Sequence, residues 1–165
     1  MIISLIGFMG AGKTSLGIEL GKKLNAKVID TDQYIEEKEG KSVSEIISDS
    51  GEQHFRQIES NALEDILEAH ISENPETLED YTKCTLVLSL GGGIVTTPVC
   101  RELISKFTYC VYLKTDMDVI FDRLDKDPGN RALLHSQHGI ELRNTIEKLY
   151  KEREKYYEKL ARKII

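Results

Sequence analysis

The run Gly7-Phe8-Met9-Gly10-Ala11-Gly12-Lys13-Thr14 fits the pattern G-x-x-x-x-G-K-[ST]. Residues of these types at this spacing cradle phosphate. Glycines let the main chain curl until successive N–H groups point inward at phosphate oxygens. A helix beginning at Lys13 adds the positive end of its dipole. Lys13 would reach the β- and γ-phosphates of a nucleotide, and the Thr14 hydroxyl would bind Mg²⁺. The plain alternative is a Gly-rich strand-to-helix turn carrying an exposed lysine. The flanks argue against it. Ile2-Ile3-Ser4-Leu5-Ile6 reads as a short buried strand, and Ser15 to Leu24 as an amphipathic helix with Leu16, Leu20 and Leu24 on one face.

Other residues could act beside such a loop. Asp30 and Asp32 flank the end of a second strand. One carboxylate could hold the water shell of Mg²⁺, and the other could draw a proton from a substrate hydroxyl. The plain alternative is a helix cap made by Asp32, with Asp30 exposed. Gly91-Gly92-Gly93 is one or two glycines more than a tight turn needs, which suits a ligand lying against the main chain. Arg56 and Glu59 stand three apart on a helical stretch. Glu59 could hold the guanidinium so that it clamps a carboxylate, although taken alone a surface ion pair is the simpler reading. Arg131 follows the break Pro128-Gly129 and could close over a triphosphate. Arg153 and Tyr157 lie four apart on the last helix, where a solvated face is the default. The histidines show no metal-ligand spacing, and Cys84, Cys100 and Cys110 look like small core residues.

The elements that must position these groups follow from periodicity. Strands are expected at Ile2–Ile6, Lys27–Asp30, Cys84–Leu90, Tyr109–Leu113 and, briefly, Ala161–Ile165. Between them lie helical patterns at Gln33–Glu39, Val43–Ser50 after a Ser42/Glu45 capping box, Glu52–Ala69, Pro98–Ser105, a segment capped by Thr115 or Asp116, and about Ile140–Leu160. Ser72 to Lys83 is acidic and reads as an exposed loop. Strands joined by helical crossovers make an α/β fold, a three-layer doubly wound parallel sheet of about five strands. Ligands of such sheets sit beyond the carboxyl ends of the strands, where the phosphate loop, Asp30-Thr31-Asp32 and the three glycines all fall.

A chain of 165 residues suits a single domain with a sizeable core. Its net charge of −6 argues against non-specific binding to nucleic acid or membrane surfaces. There is no basic leader before the first strand and no apolar run of membrane-spanning length. Three cysteines at unpatterned spacing suit a reducing compartment. A cytoplasmic protein is expected, and a monomer.

Taken together, these motifs resemble the shikimate kinase family, within the nucleoside-monophosphate-kinase-like group. The resemblance runs from end to end. It rests on the phosphate loop with Gly17, on Asp30-Thr31-Asp32, on Gly51-Glu52-x-x-Phe55-Arg56-x-x-Glu59, on Gly91-Gly92-Gly93, on Arg131-x-Leu133-Leu134, and on Arg153-x-x-x-Tyr157-x-x-x-Ala161. It implies ATP-dependent phosphorylation of the shikimate 3-hydroxyl, giving 3-phosphoshikimate and ADP, in aromatic amino-acid synthesis. It implies that Gly10, Ala11, Gly12, Lys13, Thr14 and Ser15, with Arg131, bind ATP. Thr14, and Asp30 through water, would hold Mg²⁺. Asp32, Arg56, Gly92 and Arg153 would bind shikimate, and Lys13, Asp32 and Arg131 would act in catalysis. A substrate-binding segment is implied at about 31–60 and a lid at about 126–139. Ala132 departs from the family, which usually has proline after the lid arginine, and 72–83 looks like an insertion. Arg123 could stack on adenine. Two other readings are a kinase for gluconate or a nucleotide, and a nucleotide-binding switch. Arg56, Gly92 and Arg153 favour a compact acceptor bearing a carboxylate.

Overall fold

A computed structural model describes residues 1–80, 82–126, 134 and 137–165. Five short strands pair in parallel, in the order β2-β3-β1-β4-β5. They are β1 (Ile2–Ile6), β2 (Lys27–Asp30), β3 (Leu86–Ser89), β4 (Tyr109–Tyr112) and β5 (Lys163–Ile164). Their connections carry α1 (Lys13–Leu24), α2 (Thr31–Glu39), α3 (Val43–Ser50), α4 (Glu52–Glu73), α5 (Pro98–Phe107), α6 (Met117–Lys126) and α7 (Gly139–Leu160). Because β3 lies between β1 and β2, the carboxyl ends of all three strands are neighbours. The register confirms it: Ser89, the last residue of β3, stands opposite both Leu5 and Asp30.

The strands alternate between two apolar faces. Leu5, Val87 and Leu113 face Leu16, Leu20 and Val28 on the α1 side. Ile2, Ile6, Leu86 and Leu88 face the larger cluster of Leu63, Leu67, Ile104, Ile146 and Tyr157 from α4, α5 and α7. A smaller cluster of Ile35, Ile46, Phe55 and Ala62 ties α2, α3 and α4 together. The three cysteines are buried and unpaired, as expected.

Several local expectations change. The buried residues of α1 are Lys13, Gly17 and Gly21, whereas Leu24 is exposed. A side chain at Gly21 would overlap that of Val28, so this helix sits closer to the sheet than its leucine stripe suggests. The second helix starts at Thr31 because Asp30 caps it, accepting from the backbone N–H groups of Asp32 and Gln33. Asp116 rather than Thr115 supports the start of α6, accepting from Asp118 N–H at 2.8 Å. The stretch 72–83 is not simply an exposed loop. The long helix runs on to Glu73, a 3₁₀ turn spans Pro75–Leu78, and the buried Thr77 hydroxyl meets that of Thr85 at 2.9 Å. His70 Nε2 lies 3.0 Å from the same Thr85 oxygen, so the segment is fastened beneath the sheet.

Candidate active site

The loop after β1 turns through left-handed backbone at Gly10 (φ 77°) and Gly12 (φ 100°), where a side chain would be strained. Gly12 ends the loop and leads into α1 without a side-chain cap, so the first N–H groups of the helix keep their capacity for an anion. Lys13 is buried and donates from Nζ to the carbonyls of Gly7 (2.9 Å) and Phe8 (3.0 Å). Its ammonium is thus held over the loop. Ala11 is buried below the loop and Ser15 is exposed. Arg123, on α6, donates to the Gly10 carbonyl at 2.8 Å and braces the loop from the far side.

Asp30 joins the loop to β2. Its Oδ2 accepts from the Thr14 hydroxyl at 2.7 Å, while its Oδ1 caps α2. The Ser89 hydroxyl is 3.4 Å from that of Thr14. A hydroxyl beside a carboxylate is a hard-oxygen set that fits Mg²⁺, an ion that keeps several waters and takes few protein ligands.

Asp32 is half-buried on the first turn of α2. Burial raises its carboxyl to about 6, the charge of Asp30 adds to this, and Lys13 and Arg56 oppose it. Glu59 lies deeper, almost wholly enclosed, and pairs with Arg56 Nη1 at 2.7 Å. Burial pushes its carboxyl up to about 7 against the pull of Arg56. Its Oε1 has no hydrogen-bond partner among the described residues. Arg56 also pairs with Glu52 at 2.9 Å.

The three glycines make room for these side chains. A Cβ on Gly91 would lie 2.6 Å from Glu59 Oε1 and 2.7 Å from Asp32 Oδ1. One on Gly92 would lie 3.0 Å from Met9 N, and one on Gly93 would overlap the Arg56 guanidinium. Arg153 reaches the same turn from α7. It is buried, lies 5.7 Å from the centroid of the Phe8 ring, and points Nη1 at the Gly92 carbonyl at 3.4 Å. The result is a cluster of two guanidinium groups and two carboxyl groups around the glycine turn, beside the phosphate loop.

Residues 9–165 match the family described as Shikimate kinase. The chain belongs to the shikimate kinase family. A curated shikimate kinase of Legionella pneumophila is 35% identical over 159 residues, which span 96% of this chain and 81% of that relative. Among solved structures, shikimate kinase from Bacteroides thetaiotaomicron is 33% identical with a TM-score of 0.85, covering 100% of this chain and 85% of that one. Shikimate kinase from Acinetobacter baumannii in complex with shikimate is 30% identical with a TM-score of 0.84, covering 99% and 82%.

Within this member of the shikimate kinase family, Lys13, Thr14, Asp30, Asp32, Arg56, Gly92 and Arg153 all gather at one end of the sheet. Half-buried Arg56 pairs with the buried Glu59, which is not the surface pair that their spacing alone suggests. Arg153 and Tyr157 are buried too, on what reads in isolation as a solvated face, because α7 packs across the Gly91–Gly93 turn. Arg131 and Ala132, and most of the expected lid, lie outside the described residues. Sequence reasoning passed over Ser89 and Thr31. The Thr31 hydroxyl accepts from Gly91 N–H at 3.0 Å. Their signal was a polar residue at the end of an apolar run, two positions before the glycines, and a threonine between two aspartates.

Proposed function

We propose that this chain transfers the γ-phosphoryl group of ATP to the 3-hydroxyl of shikimate, giving 3-phosphoshikimate and ADP. The observation that carries this reading is the cluster of Asp32, Arg56, Glu59 and Arg153 around Gly91–Gly93, beside the phosphate loop. Gly10, Ala11, Gly12, Lys13, Thr14 and Ser15 would hold the ATP phosphates, with Arg131 joining them. Arg56 and Arg153 would grip the shikimate carboxylate, which planar guanidinium groups suit. Glu59 would keep Arg56 aimed. Gly92 would lie against the ring of the acceptor.

Asp32 would accept a hydrogen bond from the hydroxyl that attacks, and take its proton as the new O–P bond forms. Its raised pKa supports that use, since a base works best when its pKa lies near the working pH. Lys13 and Arg131 would balance charge on the phosphoryl group in flight. Thr14, and Asp30 through water, would hold Mg²⁺, which supplies charge neutralisation at the β- and γ-phosphates.

On this reading, 1–165 is one domain, with a substrate-binding segment at about 31–60 built on the α2–α3–α4 cluster and a lid at about 126–139. The protein would act as a cytoplasmic monomer, without nucleic acid or membrane. Among the described residues, no helix is long and apolar enough to cross a membrane. A coupled assay of ADP release tests the whole reading. ATP and Mg²⁺ with shikimate should give rapid turnover, and with gluconate or a nucleoside monophosphate none. Equal turnover without shikimate would refute it.

A further inference from the structure

Tyr157 has no role in the chemistry above, yet its placement is specific. It lies one helical turn beyond Arg153 on α7 and is fully buried. Its ring stacks on Tyr112, with centroids 5.1 Å apart and planes 27° apart. A phenylalanine would fill that space equally well, so the hydroxyl is the informative atom. It donates to the Gly92 carbonyl at 2.5 Å. Arg153 Nη1 approaches the same oxygen only at 3.4 Å. Burial holds the Tyr157 phenol well above its usual range, Arg153 opposing, so it remains a donor across all working pH.

The Gly91–Gly93 turn is otherwise fastened on its other side. Gly91 N–H donates to the Thr31 hydroxyl on α2, and Ile94 N–H donates to the Gly91 carbonyl. The Gly92 carbonyl connects the turn to α7. In a trans peptide, the carbonyl of Gly92 and the N–H of Gly93 point in opposite directions, so fixing one fixes the other. A buried carbonyl without a close donor recruits whatever donor stands nearest, and here that is Arg153.

We propose that Tyr157 is a positioning residue of the acceptor site: its hydroxyl satisfies the Gly92 carbonyl, which sets the glycine turn and leaves the Arg153 guanidinium available for the carboxylate of the acceptor. This rests on the reading of the cluster around the turn as a shikimate site. The residue contributes to acceptor affinity without touching the acceptor.

The test is Tyr157→Phe in the whole protein, with Tyr112→Phe as its partner. The second variant removes the hydroxyl of the stacked ring, which bonds to Tyr150 and not to the turn. Loss of one buried hydrogen bond should raise the KM for shikimate about threefold to tenfold in Tyr157→Phe, with the KM for ATP unchanged. Tyr112→Phe should leave both KM values as they are. An unchanged KM for shikimate in Tyr157→Phe, a parallel rise for ATP, or an equal effect of Tyr112→Phe would each overturn the proposal. The unaltered protein provides a check that no folding defect can obscure: the Tyr157 hydroxyl proton should exchange slowly enough to be seen by NMR, and a freely exchanging proton would overturn the bond itself. If the unaltered protein failed to turn over shikimate, the functional reading would fall, while the proton measurement would still report on the hydroxyl.

Discussion

Asp32 and Lys13 stand beside the same loop with opposite proposed tasks, and each gives a separate test. The Asp32 carboxyl is raised from 3.8 to about 6, first by burial and then by Asp30. The folded protein therefore holds that proton more tightly than the unfolded chain does. By linkage, this residue's contribution to stability declines as pH rises from about 4 to about 6, and is level beyond. Asp32→Asn should remove that decline, seen as a urea midpoint that gains on the unaltered protein across the same window. An identical pH dependence in both proteins would contradict the buried placement. The same ionisation should set the acid limb of kcat/KM, with turnover falling below pH about 6. On the proposed mechanism, Lys13→Met should lower kcat about a hundredfold or more, because it would remove the charge that balances the migrating phosphoryl group. Circular dichroism should show the fold retained; near-normal kcat would refute the role. Arg153→Ala should raise the KM for shikimate roughly tenfold to a hundredfold and that for ATP much less, as loss of one charge-assisted contact implies.

At the scale of elements, the turn after β3 and the helix after the phosphate loop both depend on missing side chains, for different reasons. The backbone of Gly93 is in an ordinary conformation, but a Cβ there would overlap the Arg56 guanidinium. Gly93→Ala should therefore dislodge Arg56 from Glu59 and weaken shikimate binding about tenfold, an amount typical of one charged hydrogen bond, with ATP binding near normal. Binding calorimetry with each ligand separately measures this, and unaltered shikimate affinity would show that Arg56 is not set by the turn. Gly21 is a packing glycine. Gly21→Ala would push α1 off Val28 and should lower stability by about 1–3 kcal/mol, as overpacking does, while the turnover of folded protein stays close to normal.

For the whole molecule, ligand binding and folding are linked. Shikimate at a hundredfold its Kd should stabilise the fold by about 2.7 kcal/mol, a rise in Tm on the order of 5–10 °C for a chain of this size. Gluconate at the same concentration should give no such rise, and a gluconate response equal to that of shikimate would redirect the assignment. Much of the molecule was legible in the chain. The strand before Gly7, the Ser42/Glu45 capping box, the apolar stripe of α4 and the phosphate loop are local patterns, in which neighbours along the sequence fix periodicity, turns and caps. Such patterns also placed Asp30, Asp32 and the glycines at strand ends. What no local pattern could supply was depth. Arg56 with Glu59, and Arg153 with Tyr157, have the spacing of ordinary solvated helix pairs. Only the packing of α4 and α7 around the Gly91–Gly93 turn buries Glu59, Arg153 and Tyr157, half-buries Arg56, raises the Glu59 carboxyl and aims the Tyr157 hydroxyl at Gly92. The sequence by itself determined which groups could do the chemistry and at which end of the sheet they stand. The tertiary structure decided which of them leave water, because burial depends on contacts between residues that lie far apart in the chain.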